Sequence, residues 1–79
     1  MIVAVIGLGY IGLPTAALIA SKGVKVVGVD VNQHVVNTIN EGKIHIVEPD
    51  LDVLVQSSVR SGNLRATTET KKADIFIVA

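Results

Sequence analysis

Cysteine is absent from the 79 residues. That excludes a disulfide framework, a thiolate metal site and a cysteine nucleophile within them, and it fits a cytoplasmic protein. An excess of charge of either sign is absent too. The 7 basic and 7 acidic residues give a formal net charge of zero and are scattered, with no basic block. Nothing in that balance favours nucleic acid or an anionic membrane as a partner. No apolar run reaches the roughly 18 residues of a membrane span. The N-terminus lacks the basic region of a signal peptide and runs straight into "IVAVI". His34 reads as a surface residue in a first helical turn, and His45 as a loop residue with a packing or surface role. Neither has a partner at metal-ligand spacing, and no nucleophile–base pair occurs, so no catalytic residue and no metal site is assigned.

What the chain does have is apolar residues, 49% of the total. That is rich for a chain whose folded form buries only about 60–65% of its unfolded surface. With an ending inside the apolar run "DIFIVA", it sets the expectation of a partial domain over residues 1–79, marginally folded or self-associating on its own. Ile2–Ile6 is a short β-branched run, which suits a strand buried on both faces of a parallel sheet. Residues 11–22 follow helical spacing, with Ile11, Thr15, Leu18 and Ile19 on one face and Ala16, Ala17 and Ala20 around them. Pro14 is tolerable there only in the first turn. Lys22-Gly23 stops that helix, and residues 24–29 form a second strand ending at Asp30.

Asn32 is placed as the N-cap of a second helix carrying Val35, Val36 and Ile39 and ended by Gly42. Residues 43–49, "KIHIVEP", read as an ordered loop. Leu51, Leu54, Val55 and Val59 then mark a third helix from Asp50 to Gly62, with Glu48 and Asp50 as candidate caps. Leu64–Thr67 is a third strand. Residues 68–73 are a solvated polar connection containing Glu69, Lys71 and Lys72, with room for one helical turn. Residues 75–79 are a fourth strand. Strands that alternate with helical crossovers build a parallel sheet, and right-handed crossovers order its strands 3-2-1-4.

Between the first strand and first helix lie Gly7-x-Gly9-x-x-Gly12. In a βαβ unit each glycine has a mechanical reason. Gly7 permits the tight turn, Gly9 lets a pyrophosphate approach the backbone, and Gly12 lets helix and strand pack closely. The N–H groups of the helix start, at the positive end of its dipole, then face the phosphates. Asp30 ends the second strand near the offset at which an acidic residue accepts hydrogen bonds from the adenosine ribose. Its carboxylate would repel a 2′-phosphate, and Val31 to Val36 contain no Arg or Lys, so NAD is expected over NADP. Tyr10, inside the loop, either shields the cofactor or packs. A non-catalytic NAD-sensing domain shares the glycine loop and the strand-end acid. The loop 43–49 and the extra helix argue against it. An FAD site is a second alternative, disfavoured by Asp30 where such proteins tend to carry Glu.

"VIGLGYIGLPTAALIAS", "VVGVDVNQHVVNTINEGKIHIVEPDL", "GNLRATT" and "ADIFIVA" together resemble the N-terminus of the UDP-glucose/GDP-mannose dehydrogenase family. The shared pattern is a GxGYxGLPxA loop, an aspartate after the second strand, a Glu-Pro segment and a strand opening Ala-Asp. "NQH" and "IHIVEPDL" are most similar to the branch that acts on UDP-N-acetylmannosamine. The resemblance implies an α/β, Rossmann-type NAD-binding domain, here in part. It implies oxidation of a sugar C6 alcohol to a carboxylate by two NAD-dependent hydride transfers, through a cysteine nucleophile helped by lysine and asparagine. Those groups, and the UDP-sugar site, lie beyond residue 79, so the 79 residues alone are expected to be inactive and the full-length protein to be a homodimer. By position, Gly7, Gly9, Tyr10, Ile11, Gly12 and Asp30 match the family's NAD-contacting segment. One position departs: many relatives carry a Lys or Arg five residues after the aspartate, where this chain has Val35.

Overall fold

Val3, Ala4 and Val5 of strand β1 (Ile2–Ile6) are all buried. The computed structural model, which describes residues 1–70 and 72–79, shows why. Strand β1 lies inside a four-stranded sheet, between β2 (Lys25–Val29) and β4 (Ile75–Val78), with β3 (Leu64–Thr67) beyond β2. All three pairings are parallel and the order is β3-β2-β1-β4, the arrangement expected from the crossovers. Lys71, read as part of the polar connection, lies outside the described residues. The described residues of 68–73 form bends and no helix.

In a parallel sheet, residues paired across strands point to the same face. The pairings give one row of Leu64, Val26, Val3 and Ile75, and a second of Ala66, Gly28, Val5 and Ile77. Residues of these rows share one core with Leu13, Ala16 and Ala17 of helix α1 (Gly12–Ser21), Val36 and Ile39 of α2 (Gln33–Asn40), and Leu51 and Val55 of α3 (Leu51–Arg60). The second row is thin at its centre, because Gly28 contributes no side chain.

The buried face of α1 corrects the expectation. Gly12, Leu13, Ala16, Ala17 and Ala20 face inward. Ile11 and Leu18, expected on the packed face, are 73% and 55% exposed. The cause is the start of the helix. A Cβ on Gly12 would lie 1.6 Å from the Gly7 carbonyl oxygen, so the helix axis rides very close to the end of β1. The inward stripe of α1 is therefore set by Gly12, with Leu13 and three alanines following it into the core, and Ile11 and Leu18 fall on the other side. Pro14 falls in the first turn, where its missing N–H costs no helical bond.

The side chain of Asn32 caps α2, its Oδ1 accepting from the N–H groups of His34 and Val35 at 2.9 and 3.4 Å. Gly42, at φ +78°, takes the left-handed turn that ends it. Asp50 and Glu48 do not cap α3 with their side chains. Asp50 stands before the helix at φ +65° without a cap bond, and it is the Glu48 carbonyl that accepts from Leu51 N–H. Asn40 does something the sequence reading left out. Its amide clasps Ala66 in β3, donating to the carbonyl at 2.9 Å and accepting from the N–H at 2.8 Å. This side chain takes the place of a neighbouring strand on the edge of the sheet.

Candidate functional site

At the end of β1 the chain reverses through Gly7, whose φ of +96° is open to glycine and strained for other residues. Its N–H donates to the Val29 carbonyl at 2.7 Å, which ties the turn to β2. Leu8 then dips inward and is buried. Gly9, Tyr10 and Ile11 emerge, and Gly12 opens α1. The first backbone bond of the helix region is from Leu13 N–H to the Gly9 carbonyl. Among the described residues, the N–H groups of Gly9, Tyr10, Ile11 and Gly12 find no acceptor. They sit at the positive end of the α1 dipole, an arrangement suited to an anion.

Asp30 comes to the same place from β2. Its Oδ2 accepts from Leu8 N–H and its Oδ1 from Asn32 N–H, both at 3.0 Å. An ionised carboxylate has about four acceptor positions on its two oxygens. Two are therefore used to hold the chain, and two remain for a ligand. Asp30 is only partly buried, so those positions are accessible.

The three glycines separate into three physical roles. Gly7 is required by its backbone angle, and Gly12 by the carbonyl that a Cβ would strike. Gly9 is required by neither. Its φ is not positive, and a Cβ there would meet nothing within 4 Å. The fold leaves that space empty beside free N–H groups and the Asp30 carboxylate. An open space lined by free donors suits an anionic group, so the residues present fit a dinucleotide's pyrophosphate.

A cleft of about 320 Å³ covers this region. Gly7, Gly9, Tyr10, Ile11, Gly12 and Asp30, the six residues singled out from the sequence, all line it. Tyr10 is 67% exposed, so its ring is not packed among the described residues. The cleft adds two residues that sequence reasoning passed over, Leu8 and Ala79. The signal for Leu8 was a large apolar residue at the first variable position of a phosphate loop, where exposure to a ligand would not call for one.

The other residues weighed from the sequence lie elsewhere. His34 is exposed. Val35 packs against the core, so no basic group stands at that position. His45 is partly buried in the 43–49 loop, with Nδ1 buried and unpartnered, in a cleft sharing no residue with the glycine loop. Among the described residues no group of His, Asp and Glu is placed to hold a metal ion, and no helix is long and apolar enough to cross a membrane.

Comparison with known proteins agrees with this geometry. Residues 1–79 match the UDP-glucose/GDP-mannose dehydrogenase family, NAD binding domain. A UDP-N-acetyl-D-mannosamine dehydrogenase of Campylobacter jejuni is 64% identical over 77 residues, which are 98% of this chain and 19% of that protein. An NDP-N-acetyl-D-galactosaminuronic acid dehydrogenase of Ralstonia nicotianae is 62% identical over 77 residues, 98% of this chain and 18% of that protein. The structure of the UDP-N-acetyl-mannosamine dehydrogenase of Staphylococcus aureus superposes with a TM-score of 0.96 at 42% identity, covering 100% of this chain and 19% of that one. The chain thus spans about a fifth of the length of these relatives.

Proposed function

The chain belongs to the UDP-glucose/GDP-mannose dehydrogenase family through that family's NAD-binding domain, and from that premise we propose its part in the whole protein. It supplies the adenosine and pyrophosphate half of the NAD site in an enzyme that oxidises the C6 alcohol of UDP-N-acetylmannosamine to the uronate. The observation that carries the cofactor half is the open space at Gly9, bounded by unpaired N–H groups and by the free acceptor positions of Asp30. The substrate half is supported by "NQH" and "IHIVEPDL", and by the names of the Campylobacter and Staphylococcus relatives. The Ralstonia relative, at nearly the same identity, bears a different sugar in its name, so the experiment includes that sugar.

In this reading the loop N–H groups bind the pyrophosphate, Asp30 orients the adenosine ribose, and the exposed Tyr10 ring screens the phosphates from water. Bound NAD accepts hydride. The groups that handle the sugar belong to the remaining four-fifths of the protein, and the 79 residues alone are inactive. Alcohol to carboxylate removes two hydrides, so the full-length protein should yield two NADH per UDP-N-acetylmannosamine consumed, measured by absorbance against product formed. One NADH with aldehyde released overturns the four-electron reaction. Two NADH with a strong preference for nucleotide-linked N-acetylgalactosamine or glucose keeps the reaction and overturns the sugar.

Asp30→Ala in the full-length protein tests the ribose assignment. Loss of charge-assisted hydrogen bonds to the ribose costs roughly 1.5–3 kcal/mol, so NAD affinity should fall by about one to two decades. NADP should change far less, because the carboxylate that was removed also repelled its 2′-phosphate. Titration of both cofactors into both proteins reads this out. An equal loss for the two would confine Asp30 to holding the loop, and an unchanged NAD affinity would remove it from the site.

A further inference from the structure

Gly28 is in the middle of β2, paired with Val5 on one side and Ala66 on the other, where a glycine weakens a strand. Its backbone angle does not ask for one, since its φ is not positive. Its neighbour does. A Cβ on Gly28 would lie 2.8 and 2.9 Å from the two δ-carbons of Leu8 and 3.3 Å from its Cγ. Leu8 is 1% exposed and part of the core, so those carbons could move aside only by displacing packed neighbours. The same residue gives its backbone N–H to Asp30 Oδ2 at 3.0 Å. Side chain and backbone of Leu8 therefore locate two things at once, the glycine loop on either side of it and the carboxylate across from it.

We propose that Leu8 and Gly28 are positioning residues for the dinucleotide: the Leu8 side chain, seated in the notch that Gly28 leaves in β2, fixes the phosphate loop and presents the N–H that orients Asp30. The inference rests on the NAD reading of the cleft and extends it to two residues that reading does not use. It accounts for an apolar, fully buried residue within a phosphate loop, and for a glycine in a strand where neither turn nor bulge occurs. A loop held from beneath in this way keeps its donors aligned before the ligand arrives, which is what a preorganised site requires.

The test uses the full-length protein with three variants, Gly28→Ala, Leu8→Val and the volume-compensating pair. Two quantities are read: NAD affinity, and hydrogen exchange at the Leu8 amide without nucleotide. Gly28→Ala should weaken NAD by about tenfold or more and speed Leu8 exchange. The pair, which withdraws the δ-carbons as it adds the methyl group, should recover most of both. A folded Gly28→Ala with unchanged affinity and a protected Leu8 amide overturns the proposal. So does a pair that regains its melting temperature but not its affinity, since the contact would then serve packing alone. If Gly28→Ala fails to fold, Leu8→Val decides: it shortens the pin without a clash and should give a smaller loss of affinity with faster exchange, and unchanged values in both overturn the proposal. A wild-type protein that does not bind NAD, yet loses Leu8 protection in Gly28→Ala, would instead overturn the NAD reading and leave the seat intact.

Discussion

Gly9→Val is expected to give a protein that melts as the wild type does and no longer binds NAD. The stability half follows from the space around Gly9. Its φ is not positive and a Cβ meets no atom within 4 Å, so the branching carbon brings neither strain nor collision, and the cleft leaves the γ-carbons open space. Replacing a loop glycine under those conditions changes stability by about 1 kcal/mol at most, chiefly through the unfolded chain. The binding half follows from the role proposed for that space. An isopropyl group there stands where the pyrophosphate would meet the N–H groups of the α1 start. Hydrogen bonds to a charged group contribute roughly 1.5–3 kcal/mol each, so losing two weakens binding by about two to four decades. Calorimetric titration of NAD, paired with a thermal melt, separates the halves. Normal NAD binding with a normal melt would mean that the pyrophosphate lies elsewhere, and the assignment of Gly9 would fail.

Much of this architecture was legible from spacing. The strand–glycine–helix order, the alternation of strands and crossovers, and the end of the second strand at Asp30 require only local patterns, and these produced the 3-2-1-4 sheet and six of the eight residues that line the cleft. What spacing could not give was distance between elements. The inward face of α1 was read from the largest apolar residues, Ile11 and Leu18, because hydrophobic periodicity ranks side chains by size. The structure turns those two outward, because the Gly12–Gly7 approach fixes which side of the helix start faces the sheet, and that side carries Leu13, Ala16, Ala17 and Ala20. The same blindness hid Leu8 and Gly28. Each is unremarkable in its own segment, and their relation exists only across the β1–β2 pairing. The 43–49 segment was legible as a loop, but not the left-handed Asp50 that replaces a side-chain cap.

Gly12→Ala is expected to do the reverse of Gly9→Val, within the same motif and with a smaller side chain. The added methyl would sit 1.6 Å from the Gly7 carbonyl oxygen and 2.8 Å from its carbon. Neither belongs to a side chain that could rotate away. Gly7 itself is anchored, with its N–H on the Val29 carbonyl, so the helix has to move. Restoring an ordinary contact means lifting the start of α1 by roughly 2 Å, given that nonbonded heavy atoms prefer about 3.5–4 Å. That opens the layer between α1 and the sheet where Leu13, Ala16, Ala17 and Ala20 are all but fully buried. Overpacking by one methyl group costs about 1–3 kcal/mol where side chains can yield, and more where they cannot. Native proteins have only about 5–15 kcal/mol of stability to lose. Gly12→Ala should therefore show a large drop in melting temperature or fail to fold, by circular dichroism, and its NAD binding should fall because the fold has failed. A Gly12→Ala protein that melts like the wild type would show that α1 does not bear on the Gly7 carbonyl, and with it would go the explanation of why Gly12 faces the sheet and Leu18 does not.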